Sequence, residues 1–207
     1  MMNDFQYKPK LTREEIALLP HQKFSGEIFY IDSTAAIEHF LPELINEPVL
    51  GFDTETRPSF KKGQTNQVAL LQLSTSNQAF LFRINKTGLT PELINILSDS
   101  SIIKAGVAIH DDLSGLKKLV DFTPEGFIDL QEYVKQFGIE DNSLKKLAAN
   151  ILGFQISKRQ QTSNWELDML TAAQSEYAAT DAWVCYEIYS VLQKIKRYNG
   201  SPRKNYP

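Results

Sequence analysis

VLGFDTETRPSFKKGQTNQVALLQLSTSNQAFLF, residues 49–82, holds three strand-like apolar runs in close succession: Val49 to Asp53, Gln67 to Leu73 and Gln78 to Phe82. Turn-prone residues stand between them. Ser74 to Asn77 alone separate the last two, a gap short enough for an antiparallel hairpin. Upstream, Glu27 to Ile31 alternates like a short strand, and Ser33 with Thr34 can cap a helix through Ala35 to Phe40. Downstream the rhythm changes to helix and strand by turns: helix Pro91–Leu97, strand Ile102–Ala105, helix Leu113–Val120, strand Phe127–Leu130, helix Leu144–Leu152. Thr171 with Gln174 makes a capping box for a final helix that can run to about Lys196. Antiparallel strands first and β-α units afterwards imply an α/β domain, a mixed sheet flanked by helices.

The chain has 207 residues, 42% of them apolar, and a net charge of -3, which suits one domain with short extensions. Residues 1–25 are polar, contain Pro9 and Pro20, and read as an arm with one helical turn near Arg13 to Leu19 and no core residue. Residues 26–197 form the expected domain, and 198–207 a basic tail without a carboxylate. The single cysteine, Cys185, cannot form an internal disulfide, so a cytoplasmic protein is expected. The N-terminal stretch has no apolar core of signal-peptide length, and no window approaches the roughly 20 apolar residues that span a bilayer. No membrane partner is expected.

Three acidic positions stand out. Asp53 and Glu55 are two apart on a strand and project from one face, where they repel each other unless a cation lies between them. A hard divalent ion suits oxygen ligands, and a solvated strand end is the competing reading. On a helical wheel, Tyr177, Ala178, Cys185, Ile188 and Leu192 fall within about 60° of Asp181, which places this carboxylate mid-stripe on the core-facing side. A buried, unpaired carboxylate is costly or takes up a proton, so a metal or basic partner is required. Tyr177, one turn earlier, can reach over the same pocket or serve as a core aromatic. The third position lies in GVAIHDDLSGL, where a strand ends and a helix begins. An Asp there commonly caps the helix. Of Asp111 and Asp112, the latter shares a face with Leu116 and Leu119 and is the better candidate to point inward. His110 has no second His or Cys nearby, which argues against zinc.

Taken in chain order, FDTET, GVAIHDD and YAATD resemble the three exonuclease motifs of the DEDD superfamily, in its tyrosine-bearing DEDDy branch. The resemblance extends from about Val49 to Ile195 and takes in VALLQLST, LKKLAANILG and SNW. It is nearest to the exonuclease domain of Werner-type helicases and more distant from ribonuclease D. The resemblance implies a ribonuclease H-like fold and 3′-5′ hydrolysis of phosphodiesters at the 3′ end of DNA or RNA, releasing nucleoside 5′-monophosphates with two divalent cations, Mg²⁺ or Mn²⁺. Carried over by motif, Asp53 and Glu55 are the first acids, Asp112 the second, and Asp181 with Tyr177 the third. In the second motif many relatives place an aromatic residue or Gly directly before the Asp, where this chain has Asp111, so the choice between Asp111 and Asp112 stays open. In a two-metal site, Asp53 bridges, Glu55 and Asp181 hold the ion on the water side, Asp112 holds the other, and Tyr177 orients the water. Thr54, Lys158 and Trp165 are the candidate substrate contacts; Phe60 and Trp165 are aromatics that could stack on a terminal base, although Trp165 reads more readily as a packed core residue.

A net negative charge is unusual for a nucleic-acid binder. The four carboxylates account for -4 of it, so the rest of the chain is close to neutral. Arg57, Lys61, Lys62, Lys158 and Arg159 flank the motifs and are either phosphate contacts or ordinary solvated side chains. Two other readings use the same scaffold: a catalytically silent nucleic-acid-binding module, and an endonuclease or other phosphoesterase.

Overall fold

The computed structural model describes residues 7–59 and 66–200. Phe60, Lys61 and Lys62, the first six residues of the arm and the last seven of the tail lie outside the described residues.

Eight α-helices and six strands are found among the described residues. In chain order they are α1 (Arg13–Ala17), β1 (Glu27–Ile31), α2 (Thr34–Leu44), β2 (Val49–Thr56), β3 (Val68–Ser74) and β4 (Gln78–Phe82). Then come α3 (Ile84–Thr87), α4 (Pro91–Leu97), β5 (Ile103–Gly106), α5 (His110–Lys117), β6 (Phe127–Asp129), α6 (Leu130–Tyr133), α7 (Leu144–Leu147) and α8 (Ala172–Gly200). The strands form one sheet in the order β1-β4-β3-β2-β5-β6. β3 pairs antiparallel with β2 on one side and β4 on the other, whereas β1 on β4, β5 on β2 and β6 on β5 are parallel. The mixed sheet expected from the strand rhythm is therefore present.

Side-chain alternation divides the core. Phe52, Leu71, Leu73, Phe80 and Phe82 point to the face where α2, α4 and α5 pack. The other face is closed by α8, which lies across β2 to β5 and, at 29 residues, is about 43 Å long. Its close approach depends on Gly51: a Cβ there would fall 1.9 Å from the Ala182 carbonyl oxygen. Only a residue without a side chain lets β2 and α8 meet backbone to backbone, two residues before Asp53.

Several elements depart from the sequence reading. β2 runs three residues beyond Asp53, and α5 begins three residues before Leu113, because Ile109 rather than an Asp occupies its N-cap. Leu144–Leu152 is one α-turn followed by a π-helical turn over Ala148–Leu152. The short α3 and α6, with the 3₁₀ turn Val134–Phe137, carry too few residues to show a helical period.

The arm also needs correction, because it does contain core residues. Ile16 and Phe24 are buried, and Phe24 packs against Ala79, Ala179 and Trp183. The Phe24 N–H donates to Thr180 Oγ1 at 3.0 Å. Backbone bonds from Gln22 to Gln155 and from Gln155 to Pro20, 2.9 and 2.8 Å long, pin the arm to the body. Two isolated apolar residues in a polar stretch have no periodicity, so only the docking shows where they go.

Candidate active site

β2 pairs with β5 only from Val49 to Gly51, so its second half projects past the parallel strand and leaves an opening at the strand ends. Asp53 and Glu55 point from this free edge to the α8 side, and α8 presents Asp181 to them from above. One carboxylate oxygen from each of Asp53, Glu55 and Asp181 lies within 4.8 Å of the others. Three chain segments thus bring three acids to one point.

Asp112 approaches from a different direction. Thr54 alternates to the opposite face of β2, and its hydroxyl donates to Asp112 Oδ1 at 2.5 Å. The backbone N–H of Thr54 donates to Asp53 Oδ1 at 3.0 Å. One residue therefore orients two acids on either side of the strand. Asp112 stands inside the first turn of α5, whose N-cap is Ile109, and Asp111 is exposed. The inward-facing member of the pair is Asp112.

Burial raises all four acids, and repulsion from the other site acids adds to the rise of Asp53 and Glu55. Burial, then the charges of Asp181 and Asp112, push Asp53 well above the usual carboxylate range. Glu55 is pushed up to about 10 by burial and then by Asp53, Asp181 and Asp112. Asp181, 6% exposed, rises to about 7 through burial, although the Tyr177 hydroxyl and Lys158 pull it down. Asp112 rises to about 6 through burial, against the pull of Thr54. The Tyr177 hydroxyl is raised by burial and by Asp181, so it stays protonated and donates to that carboxylate. Four such groups cannot all be charged together without a cation. Their oxygen donors, their spacing and this unmet charge fit hard divalent ions.

Asp53, Glu55 and Asp181, but not Asp112, line a cleft of about 410 Å³ whose wall also includes Asn142, Lys145, Lys158, Gln161 and Tyr177. Lys158, exposed on the rim, is where a substrate contact was expected. Asn142, Lys145 and Gln161 were not singled out from the sequence. Lys145 belongs to the LKKLAANILG stretch that entered the resemblance, while Asn142 and Gln161 had no signal. Thr54 reaches the cleft, but its hydroxyl is committed to Asp112. Arg57 pairs with Glu166 at 3.2 Å, and Arg159 faces a neighbouring cleft beside His21 and Lys23.

Of the two readings of Trp165, packing holds and stacking does not. It is fully buried against Leu70, Leu81 and Ala178, so it has no face to offer a base. Its ring lies 6.0 Å from that of Tyr177. Arg83, itself fully buried, donates to the Tyr30 hydroxyl and to the carbonyl oxygens of Leu167 and Asp168, and so holds the loop that carries Trp165. The sequence favoured packing without fixing it, because no periodic pattern surrounds this residue.

Residues 28–196 match the family model described as 3′-5′ exonuclease. The mouse bifunctional 3′-5′ exonuclease/ATP-dependent helicase WRN is 35% identical over 187 residues, covering 86% of this chain and 13% of that protein. The chain thus spans a small part of that relative's length. Among solved structures, the Nibbler EXO domain of Aedes aegypti superposes with a TM-score of 0.76 at 24% identity, covering 86% of this chain and 94% of that one. RNase D of Escherichia coli superposes with a TM-score of 0.74 at 23% identity over 86% of this chain and 46% of that one. These likenesses bear out the ribonuclease H-like fold.

Proposed function

We propose, for a chain that belongs to the 3′-5′ exonuclease family and is an enzyme of it, that the substrate is the 3′ end of a DNA or RNA strand and the products are nucleoside 5′-monophosphates. The observation that carries this reading is the trio of carboxylate oxygens from Asp53, Glu55 and Asp181 within 4.8 Å of one another. Asp53, Glu55 and Asp181, with Asp112 at the opposite side of β2, would hold two divalent cations, Mg²⁺ or Mn²⁺. Such ions, when bound, activate the attacking water and offset charge on the leaving 3′ oxygen.

The chain's own groups do the positioning. Asp53 feels the charges of both Asp181 and Asp112 and would serve as a ligand common to the two ions. Tyr177, kept protonated, donates a hydrogen bond and orients the attacking water rather than removing its proton. Thr54 holds Asp112 and Asp53 in fixed relation. Lys158 on the rim meets a substrate phosphate. We further propose that the catalytic domain is residues 26–197, that the setting is cytoplasmic, and that residues 198–207 add a basic tail.

A 5′-labelled oligonucleotide with Mg²⁺ or Mn²⁺ tests the reading. A ladder of shortening products is expected, abolished by EDTA and by Asp53→Asn. Folded protein that yields no ladder with either ion on DNA or RNA refutes it. Circular or 3′-blocked substrates should resist, and their cleavage would favour an endonuclease. Metal-independent binding without cleavage would favour a silent binding module.

A further inference from the structure

Gln72 sits in the middle of β3, fully buried, and neither its Nε2 nor its Oε1 has a hydrogen-bond partner among the described residues. The register places it directly opposite Asp53 on β2 and opposite Leu81 on β4. Residues opposed across an antiparallel pair project to one face with Cβ atoms about 4.5–5.5 Å apart. The Gln72 amide therefore shares with Asp53 the face that α8 covers, while its neighbours Leu71 and Leu73 enter the core on the other side.

A primary amide brings two N–H donors and an accepting carbonyl into this interior. Each buried polar group left unpaired costs on the order of 1–3 kcal/mol, a cost that an apolar residue of similar volume would not carry. Other polar groups on this face are already committed. The Ser74 hydroxyl donates to the Thr75 carbonyl, and the Tyr177 hydroxyl donates to Asp181. Among the described residues on this face, Gln72 and the Trp165 indole have N–H donors to spare, and the acid directly opposite Gln72 is Asp53.

We infer that Gln72 is a positioning residue for Asp53: its amide N–H donates to the Asp53 carboxylate, directly or through one water, and fixes its orientation when divalent ions are held. This rests on the metal-dependent reading above. A hydrogen bond behind a ligating carboxylate sets both its angle and its affinity, and loss of such a partner typically costs about 10–100-fold in metal affinity or activity.

Gln72→Met removes both polar atoms at nearly unchanged volume. In the metal-free protein, Mn²⁺ titrated and read by electron paramagnetic resonance should bind about 10-fold more weakly than in the wild type. The oligonucleotide kcat should fall with KM little changed, and the Tm in EDTA should hold or rise. A merely structural glutamine gives the reverse: a lower Tm in EDTA with Mn²⁺ affinity and kcat within about twofold of wild type, and that pattern overturns the inference. Gln72→Asn keeps the amide but draws it back by one methylene, should also weaken Mn²⁺ binding, and decides the question if the Met variant does not fold. Wild-type protein that binds Mn²⁺ and makes the ladder, beside variants that match it, removes this inference alone. A wild type that does neither removes the metal-dependent reading with it.

Discussion

Asp181→Asn should make the metal-free protein more stable while destroying its activity. The folded chain raises the Asp181 carboxyl from 3.8 to about 7, chiefly by burial. In the unfolded chain the group keeps its ordinary value, so folding takes up a proton between about pH 4 and pH 7. Stability is therefore highest below that window and falls as pH rises through it. The raised carboxyl corresponds to on the order of 4 kcal/mol lost at pH 8. With local relaxation on removing the charge, about 2 kcal/mol is a fair expectation for the gain, or a Tm increase of about 4–8 °C for a chain of this size. The asparagine oxygen can still accept from Tyr177, so the local geometry survives. Differential scanning fluorimetry in EDTA at pH 8 should show the rise, and at pH 5, where the wild-type carboxyl is protonated, the variant should gain little. Millimolar Mn²⁺ should raise the wild-type Tm and leave the variant nearly unmoved. A variant less stable than wild type in EDTA at pH 8, or equally stabilised at both pH values, would refute the argument that these carboxyls await a cation.

Three other perturbations separate the roles of neighbouring residues. Tyr177→Phe removes a protonated donor without removing a ligand, so single-turnover rates should fall by about 10²-fold while Mn²⁺ affinity measured by titration stays close to wild type. Thr54→Val frees Asp112 from the hydroxyl that holds its pKa down. The acid limb of the pH-rate profile should then move upward, with activity down about tenfold near pH 6, for a bond worth about 1.5 kcal/mol, and less at pH 8. Trp165→Ala empties a fully buried site and should destabilise the protein by about 3–5 kcal/mol in urea. A base-stacking tryptophan would instead raise KM without shifting the urea midpoint.

Much of the site was legible because acids in apolar patterns are conspicuous. Asp181 interrupts a stripe of Ala178, Cys185, Ile188 and Leu192, and a carboxylate in that place demands a reason whatever the fold. Asp53 and Glu55 share a face through the two-residue period of a strand, which needs no tertiary knowledge. Gln72 escaped notice because VALLQLS reads as a continuous buried strand, and an amide among leucines gives no sign of which neighbour it meets. Asn142 and Gln161 escaped for a different reason. They lie in loops, where no period links sequence position to direction.

Local periodicity and chemistry, which act within a few residues, indicated from the sequence the order of the longer strands and helices, the mixed sheet and the out-of-place acids Asp53, Glu55 and Asp181, while the choice of Asp112 over Asp111 waited for the structure. Tertiary structure alone decided that Thr54 bonds Asp112 across the strand, that Trp165 packs rather than stacks, that the arm docks through Phe24, and that Gln72 lies opposite Asp53. Each of these is a contact between segments distant in the chain. Register and close approach set such contacts, here through the absence of a side chain at Gly51, and no short window of residues contains that information.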